Sequence, residues 1–443
     1  MGSVSPAAAA TRGGEVLQAL RAQPGGPELL ALGDAGADLA LIGGAVRDLL
    51  LGRAPRELDV VVAGDAAALA DELAARLSVG LAQPPGVEPP AGAAEPPSVT
   101  LHDRFGTALL RWDGCRVDIA ARRAESYPAP GALPEVRPGT SEEDLARRDF
   151  TVNAIAVALG GARRGQLTGA EHALEDLDAG RLRVLHERSF IDDPTRLLRL
   201  ARYRARLDFA IESNTAALAT EALRTGALMT VSRARLGAEL RLALGEAGAP
   251  AALASMSEVG VLAALAPGFR FDRQLAERAL ALLPSDGRAD LLLMAALLLH
   301  LTVMPAHDPE ATMHAILDEL EFTAADRERT LRSALAAPSL VQPMALARKP
   351  SELREALAAH TPEATALAGA LGDGSTPRAA DAAIRWFQQV RGVRLQINGD
   401  DLIAAGLPAG PEIGRRLQHA LARRLDGELE PGREAELRAA LEG

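Results

Sequence analysis

Glu57 and Asp59 stand two apart in the run Glu57-Leu58-Asp59-Val60-Val61-Val62, shortly after the pair Gly43-Gly44. On a strand, side chains alternate, so residues two apart share a face. Two carboxylates on one face offer hard oxygen ligands to a pair of divalent metals. A Gly-Gly pair lets the backbone turn sharply and approach a ligand closely, because neither residue has a Cβ. The residues that follow open a helix, whose first N–H groups are unpaired and can meet an anion. Arg47 adds a positive charge nearby. Either feature alone is an ordinary turn or a solvated strand edge. Together they describe a site where metals act on a triphosphate.

The elements that must position these groups are legible around them. Leu39 to Ile42 is a short apolar run that Gly43 stops, so the stretch reads strand, glycine turn, short helix, second strand. After Val62, Ala63-Gly64-Asp65 caps a helix through about Leu77. Residues 84–97 are rich in Pro, Gly and Ala and read as a surface loop. Ser98 to His102 and Thr107 to Trp112 alternate like strands, with Asp103-Arg104-Phe105-Gly106 as the turn between them. Asp113-Gly114 is a hairpin signal leading into the strand Arg116 to Ala120. That strand carries Asp118, a candidate third carboxylate beside Glu57 and Asp59.

Composition narrows the field. The 443-residue chain has room for several domains, and at 3% aromatic residues its core must rest on Ala, Leu and Val. Its net charge of −11 excludes a uniformly basic nucleic-acid binder, so any RNA contact must use local arginine clusters. Cys115 is the sole cysteine, which excludes a disulfide framework and a thiolate zinc site. The longest apolar run, Leu291 to Leu299, is too short to span a bilayer. No charged segment followed by an apolar one opens the chain, so the expectation is a cytoplasmic protein without a membrane partner. His300 and His307 lack the paired spacing of a metal site.

The run GGAVRDLLLGR…ELD resembles the head-domain signature of bacterial tRNA nucleotidyltransferases and poly(A) polymerases, the CCA-adding enzymes and their relatives. The family more often has Asp where Glu57 stands, and the extra methylene shifts that oxygen. Arg147-Arg148-Asp149-Phe150-Thr151-Val152-Asn153-Ala154 resembles its second signature. Here Thr151 is expected to cap a helix carrying Asn153 in its first turn. Arg148 is placed to reach triphosphate or ribose, with Asp149 and Asn153 orienting it or binding sugar hydroxyls. Asp192-Asp193-Pro194-Thr195-Arg196 resembles the family's neck motif. Asp192 or Asp193 is expected to cap a helix with Pro194 in its first turn, and Arg196, Arg199 and Arg202 to form a stripe while Leu197, Leu200 and Ala201 pack.

The chemistry of the neck pair follows from the bases. Cytosine and adenine each present an amine donor beside a ring-nitrogen acceptor, and uracil and guanine present the reverse. An accepting Asp193 and a donating Arg196 therefore suit C and A, and a wrong base leaves charged groups unpaired. Val231 to Leu240 resembles a further neck segment, and Ile397 to Gly414 resembles a tail element in which glycine turns open an arginine-bearing helix with Arg415 and Arg416. From Gly248 onward the pattern is helical, with breaks near Pro267, Pro284 to Gly287, Pro338 and Gly372 to Gly374.

The resemblance implies an α+β nucleotidyltransferase head, a mixed sheet with helices, followed by an all-α neck, body and tail. The expected boundaries are a disordered 1–14, a head over 15–185, a neck over 186–247, a body over 248–390 and a tRNA-binding tail over 391–443. It implies transfer of C, A or both from CTP and ATP to the 3′ end of tRNA without a template. Close alternatives are a CC-only adder, an A-only adder or a poly(A) polymerase; a distant one is a non-catalytic RNA-binding homologue. Glu57 and Asp59 would hold Mg²⁺, with Asp118 completing the catalytic set. Gly43, Gly44, Arg47, Arg148, Asp149, Asn153, Asp193, Arg196, Arg199 and Arg202 would bind the nucleotide. No protein partner is implied.

Overall fold

The computed structural model describes residues 6–79, 96–102, 106–303, 308–372 and 378–443. Most of the Pro-rich loop 84–97, the turn at 103–105, His307 and the break at 373–374 lie outside the described residues. The chain divides into two units, Met1–Val231 and Ser232–Gly443. The division falls within the stretch 186–247 that reads as a neck in the sequence.

The first unit is built on β1 (Leu39–Ile42), β2 (Leu58–Val62), β3 (Ser98–His102), β4 (Thr107–Trp112), β5 (Cys115–Ala121), β6 (Arg123–Ser126), β7 (Glu135–Pro138), β8 (Ile155–Ala158) and β9 (Leu167–Gly169). Seven of these form one mixed sheet in the order β3-β4-β5-β2-β1-β8-β9, while β6 and β7 pair as a separate hairpin. Only β2 and β5 run parallel within the large sheet, and they place Asp59 directly opposite Asp118. The β4–β5 turn is tight because Asp113 and Gly114 both adopt positive φ, 48° and 75°.

Helices α1 (Pro6–Arg21), α2 (Gly26–Asp34), α3 (Gly44–Leu50), α4 (Ala66–Val79), α5 (Ser141–Ala146), α6 (Ala173–Asp178), α7 (Ser189–Asp192), α8 (Arg196–Leu207) and α9 (Ser213–Arg224) complete the unit, with a short parallel pair β10 (Arg181–Leu182) and β11 (Ala210–Ile211). Helix α1 begins at Pro6, inside the segment expected to be disordered. Proline suits a first helical turn and the alanines after it are the strongest helix formers. Helix α4 starts where Asp65 accepts the Ala67 N–H at 2.8 Å, as the capping signal implies. It lies against β2, β3, β4 and β5. The sheet face opposite the carboxylates carries Val60, Leu110, Val117 and Ile119, all essentially sequestered from water. The carboxylate face carries a buried apolar cluster that includes Ala40, Ile42, Val61, Ala156 and Leu145 of α5.

The second unit is all-helical: α10 (Arg233–Leu244), α11 (Ala249–Val259), α12 (Val261–Leu265), α13 (Arg273–Leu282), α14 (Ala289–Leu298), α15 (Pro309–Glu319), α16 (Ala324–Leu346), α17 (Pro350–Leu357), α18 (Pro362–Leu371), α19 (Arg378–Arg385), α20 (Gly399–Ala404), α21 (Pro411–Leu425) and α22 (Arg433–Glu442). Pro338 does not break the chain, contrary to expectation; it and Pro343 lie inside α16. That helix buries Leu331, Ala334, Leu340 and Met344 and packs on α14, α18 and α19. Burial along this face offsets the roughly 3 kcal/mol that a proline costs in a helix interior. At the end of the unit, Ile397, Leu402, Ala420, Ala439 and Ala440 form a small core of their own.

Candidate active site

Three carboxylates converge at the β2–β5 pair. Glu57 lies just before β2, and Asp59 faces Asp118 across the ladder. One oxygen from each of the three can be chosen so that all lie within 4.8 Å of one another, the arrangement a metal ion needs. All are oxygen donors, which suits a hard divalent cation. Crowding marks Asp59 most. Burial pushes its carboxyl up, and Glu57 and Asp118 add to this against the opposing charges of Arg148 and Arg116, leaving it at about 7.

A cation that the sequence reading did not single out lies against this cluster. Arg116 donates from Nε to Asp118 Oδ2 at 2.7 Å and from Nη2 to Oδ1 at 3.1 Å, and its Nη1 lies 3.2 Å from Glu57 Oε2. The signal was present as Arg116-x-Asp118, the same two-residue spacing that relates Glu57 to Asp59.

The glycine turn opens on the same face. Gly43 has φ 70° and ψ −135°, a backbone conformation that a side chain strains, and its N–H donates to Ile155 O at 2.9 Å. A Cβ on Gly43 would lie 2.8 Å from Arg148 Nη1 and 3.6 Å from Asp59 Oδ2. Arg148 and Asp59 therefore meet over a bare backbone. Arg148 is held by Asp144 Oδ2 at 3.2 Å, and its Nε is buried with no hydrogen-bond partner among the described residues. Its position comes from α5, which begins with a capping box between Thr140 and Glu143. Arg147 and Arg148 follow at its C-terminal end, where the helix dipole favours cations. Asp144 is buried. Arg147 and Arg148 outweigh that burial and hold its carboxyl below the usual range.

The remaining residues of the two signatures face inward. Arg47 is 1% exposed. It donates to Asp48 Oδ1 at 2.8 Å and to Asn153 Oδ1, and its guanidinium lies 5.4 Å from the Tyr203 ring centre. Rather than facing a ligand with a free charge, it ties α3 to the turn at Thr151–Asn153. Gly44 lies beneath it, since a Cβ there would come within 3.4 Å of Arg47 Nη2. Asp149 does not orient Arg148. It accepts from Arg199 at 2.6 and 2.8 Å, from Asn153 Nδ2 at 2.9 Å and from the Phe150 N–H at 2.9 Å. Despite burial, the Arg199 charge and these bonds keep its carboxyl well below the usual range. Thr151 caps no helix. It opens a single 3-10 turn, and its hydroxyl donates to the buried Asp176 at 2.8 Å.

The neck residues are also enclosed. Asp193 closes α7 and accepts from the Thr195 N–H at 3.2 Å and hydroxyl at 2.7 Å, while Pro194 precedes α8. Neither Asp192 nor Asp193 is the cap of α8; its cap position is Thr195, whose side chain makes no capping bond. Arg196 is buried, donating to Ser189 Oγ and to the Arg147 carbonyl, each at 2.7 Å. That bond joins the neck motif to the residue preceding Arg148. Arg202 is buried as well, whereas Arg199 between them is one-third exposed, at 33%. Arg199 and Arg202 both stack near Tyr203, at 5.8 Å. The roles of Tyr203, Asp48 and Asp144 were not read from the sequence, because they depend on residues distant in the chain. His300 is exposed, and the described residues hold no other carboxylate, histidine or cysteine cluster with metal geometry.

Comparison with known proteins accords with this geometry. The poly(A) polymerase head-domain family matches residues 39–88 and 94–183. The chain is 31% identical to an A-adding tRNA nucleotidyltransferase of Geobacter sulfurreducens over 93% of its own length and 46% of that protein's. It is 32% identical to a CC-adding tRNA nucleotidyltransferase of Deinococcus radiodurans over 88% of its length and 85% of that protein's. It spans half or less of two further A-adding relatives. The solved Thermotoga maritima CCA-adding enzyme, in complex with tRNA, superimposes with a TM-score of 0.71 at 26% identity, over 97% of this chain and 98% of that one. With a relative matched along most of both sequences and a solved structure matched along nearly all of both, the chain belongs to the tRNA nucleotidyltransferase and poly(A) polymerase family.

Proposed function

We propose that this protein transfers nucleotides from CTP, ATP or both to the 3′ end of tRNA, without a template, in the cytoplasm. The observation that carries this reading is the register of β2 and β5, which sets Asp59 against Asp118 beside Glu57 and the bare turn at Gly43. In the reaction the 3′-oxygen of the RNA bonds to the α-phosphorus, the bond to the bridging oxygen breaks, and pyrophosphate leaves. Glu57 and Asp59 would hold Mg²⁺, with Asp118 assisting or accepting the proton from the 3′-hydroxyl. Bound there, the metal would lower the pKa of that hydroxyl and neutralise charge on the leaving group.

The remaining roles follow from position. Gly43 and Gly44 let the triphosphate approach backbone, and Arg148 reaches over Gly43 toward it. Arg47 and Asn153 fix the turn from beneath, and Asp149 holds Arg199. Asp193 and Arg196 would read the amine and ring nitrogen of C or A, with Arg199 and Arg202 lining that side. Arg196, already fixed by Ser189 and the Arg147 carbonyl, would lose little freedom on meeting a base. The four-part division into head, neck, body and tail belongs to the same reading, with the tail over 391–443 taking the distal part of the tRNA.

The A-adding and the CC-adding relative matched over most of this chain differ by one per cent in identity and do not choose between the activities. The experiment that does is incubation with tRNA lacking its 3′ end, with CTP and ATP offered singly and together. Full CCA synthesis requires both nucleotides on tRNA ending before the first C. A CC adder stops after CTP, and an A adder extends only tRNA that already ends in CC. No incorporation on any of these substrates contradicts the reading.

A further inference from the structure

We propose that Arg116 is a resident counter-cation of the carboxylate cluster, which competes with a divalent metal for the same oxygens. The inference rests on the metal-site reading above. One guanidinium takes both oxygens of Asp118, at 2.7 and 3.1 Å, and reaches Glu57 at 3.2 Å. A Mg²⁺ ion binds carboxylate oxygens at about 2.0–2.1 Å and demands near-octahedral space around itself. Both Asp118 oxygens and Glu57 Oε2 already give the guanidinium a lone pair each, and its positive charge opposes a metal brought to the same carboxylates. Among the described residues, the Arg116 side chain makes hydrogen bonds and ion pairs only to these two carboxylates. Its side chain is 43% exposed, so it can swing away without repacking anything. The strand is held by its neighbours Val117 and Ile119, both fully buried, and not by the arginine.

Displacement gives the arginine a second task. A planar guanidinium is a natural phosphate ligand, and a nucleoside triphosphate entering beside Asp59 arrives with the charge that accepts it. Metal entry and nucleotide entry are thereby coupled. Without nucleotide, Arg116 neutralises carboxylates that would otherwise repel one another, and it weakens metal binding. With nucleotide, the phosphates take the arginine and the oxygens are released to the metal.

The test is Mn²⁺ binding to the full-length protein without nucleotide, followed by electron paramagnetic resonance. The Arg116→Gln and Arg116→Met variants are expected to bind Mn²⁺ roughly three- to tenfold more tightly than the wild type, the scale of losing one exposed cation near two carboxylates. Arg116→Lys, which keeps the charge, stays close to wild type. Thermal melts of the same samples check that the variants are folded. Equal or weaker Mn²⁺ binding in folded Arg116→Gln and Arg116→Met overturns the proposal. The metal-site reading fails separately if Glu57→Gln and Asp59→Asn leave wild-type Mn²⁺ binding unchanged.

Discussion

Gly43 is the residue at which backbone, base and acid meet. Replacing it with alanine forces a Cβ against Arg148 in a conformation of φ 70° and ψ −135°. Gly43→Ala is expected to cost about 1–3 kcal/mol in denaturant unfolding and to raise the KM for nucleotide as Arg148 moves. Asp59 gives a test through pH. Its folded carboxyl sits at about 7, above the ordinary 3.8, so the folded state holds a proton that the unfolded chain has lost. The sign is then fixed: between about pH 4 and 7, rising pH removes stability, and above 7 the effect levels off. Melting curves without divalent ion should show wild type losing stability relative to Asp59→Asn as pH rises through that window. A constant difference would contradict the burial, aided by the neighbouring Glu57 and Asp118, that raises Asp59.

Among residues, Glu57 and Asp59 were legible because two-residue spacing on a strand fixes a common face, whereas Asp118, which meets Asp59 only across the β2–β5 ladder, was singled out through the family resemblance. Arg47 was legible as a charge beside a glycine turn but not as a buried one. Its burial depends on Asn153 and Tyr203, which only the fold brings near. The same holds for Arg196, whose partner is a backbone carbonyl, that of Arg147.

Elements were read best where turn chemistry marked their ends. The Asp113-Gly114 turn and the Asp65 cap both fell where local rules put them. Pro338 misled because helix propensity is weak beside the burial of a long apolar face. Helix α9 offers a measurable case of capping. Glu212 accepts the Asn214 and Thr215 N–H groups at 3.0 and 2.8 Å and the Thr215 hydroxyl at 3.0 Å. Partial burial opposes its ionisation, but these donors prevail and bring it down to about 2. Glu212→Gln is expected to cost about 1 kcal/mol at neutral pH. Because the folded pKa is depressed, the stability from Glu212 is present above about pH 4.5 and is lost as pH falls toward 2. Chemical unfolding at pH 7 and pH 3 should therefore show a smaller difference between the two proteins at the lower pH.

At the scale of the whole molecule, the proposed function asks an acidic chain to bind an acidic polymer. The net charge is −11, and many arginines are already paired with carboxylates, as Arg415 and Arg416 are with Glu412. Phosphate contact then falls to local arginine clusters and not to a uniformly basic surface. The logarithm of tRNA affinity is expected to fall with the logarithm of salt concentration at a shallow slope, about −3, as for a protein neutralising a handful of phosphates. Fluorescence anisotropy across a salt series measures it, and a slope near −10 would contradict local recognition. The order of domains came from resemblance, not from hydrophobic pattern. Helical periodicity along the second unit reports a helix's face but not which helix it meets.

The central claim is that the paired strands β2 and β5 gather metal-binding carboxylates for nucleotidyl transfer to RNA. Its most direct test is the single-turnover rate of nucleotide addition to tRNA lacking its 3′ end, for wild type, Asp59→Asn and Asp118→Asn. Substitutions around a metal's ligands already cost 10- to 100-fold, so loss of a ligand itself should slow transfer by more than about 100-fold, with each variant still folded. Transfer by folded Asp59→Asn at the wild-type rate would contradict the account.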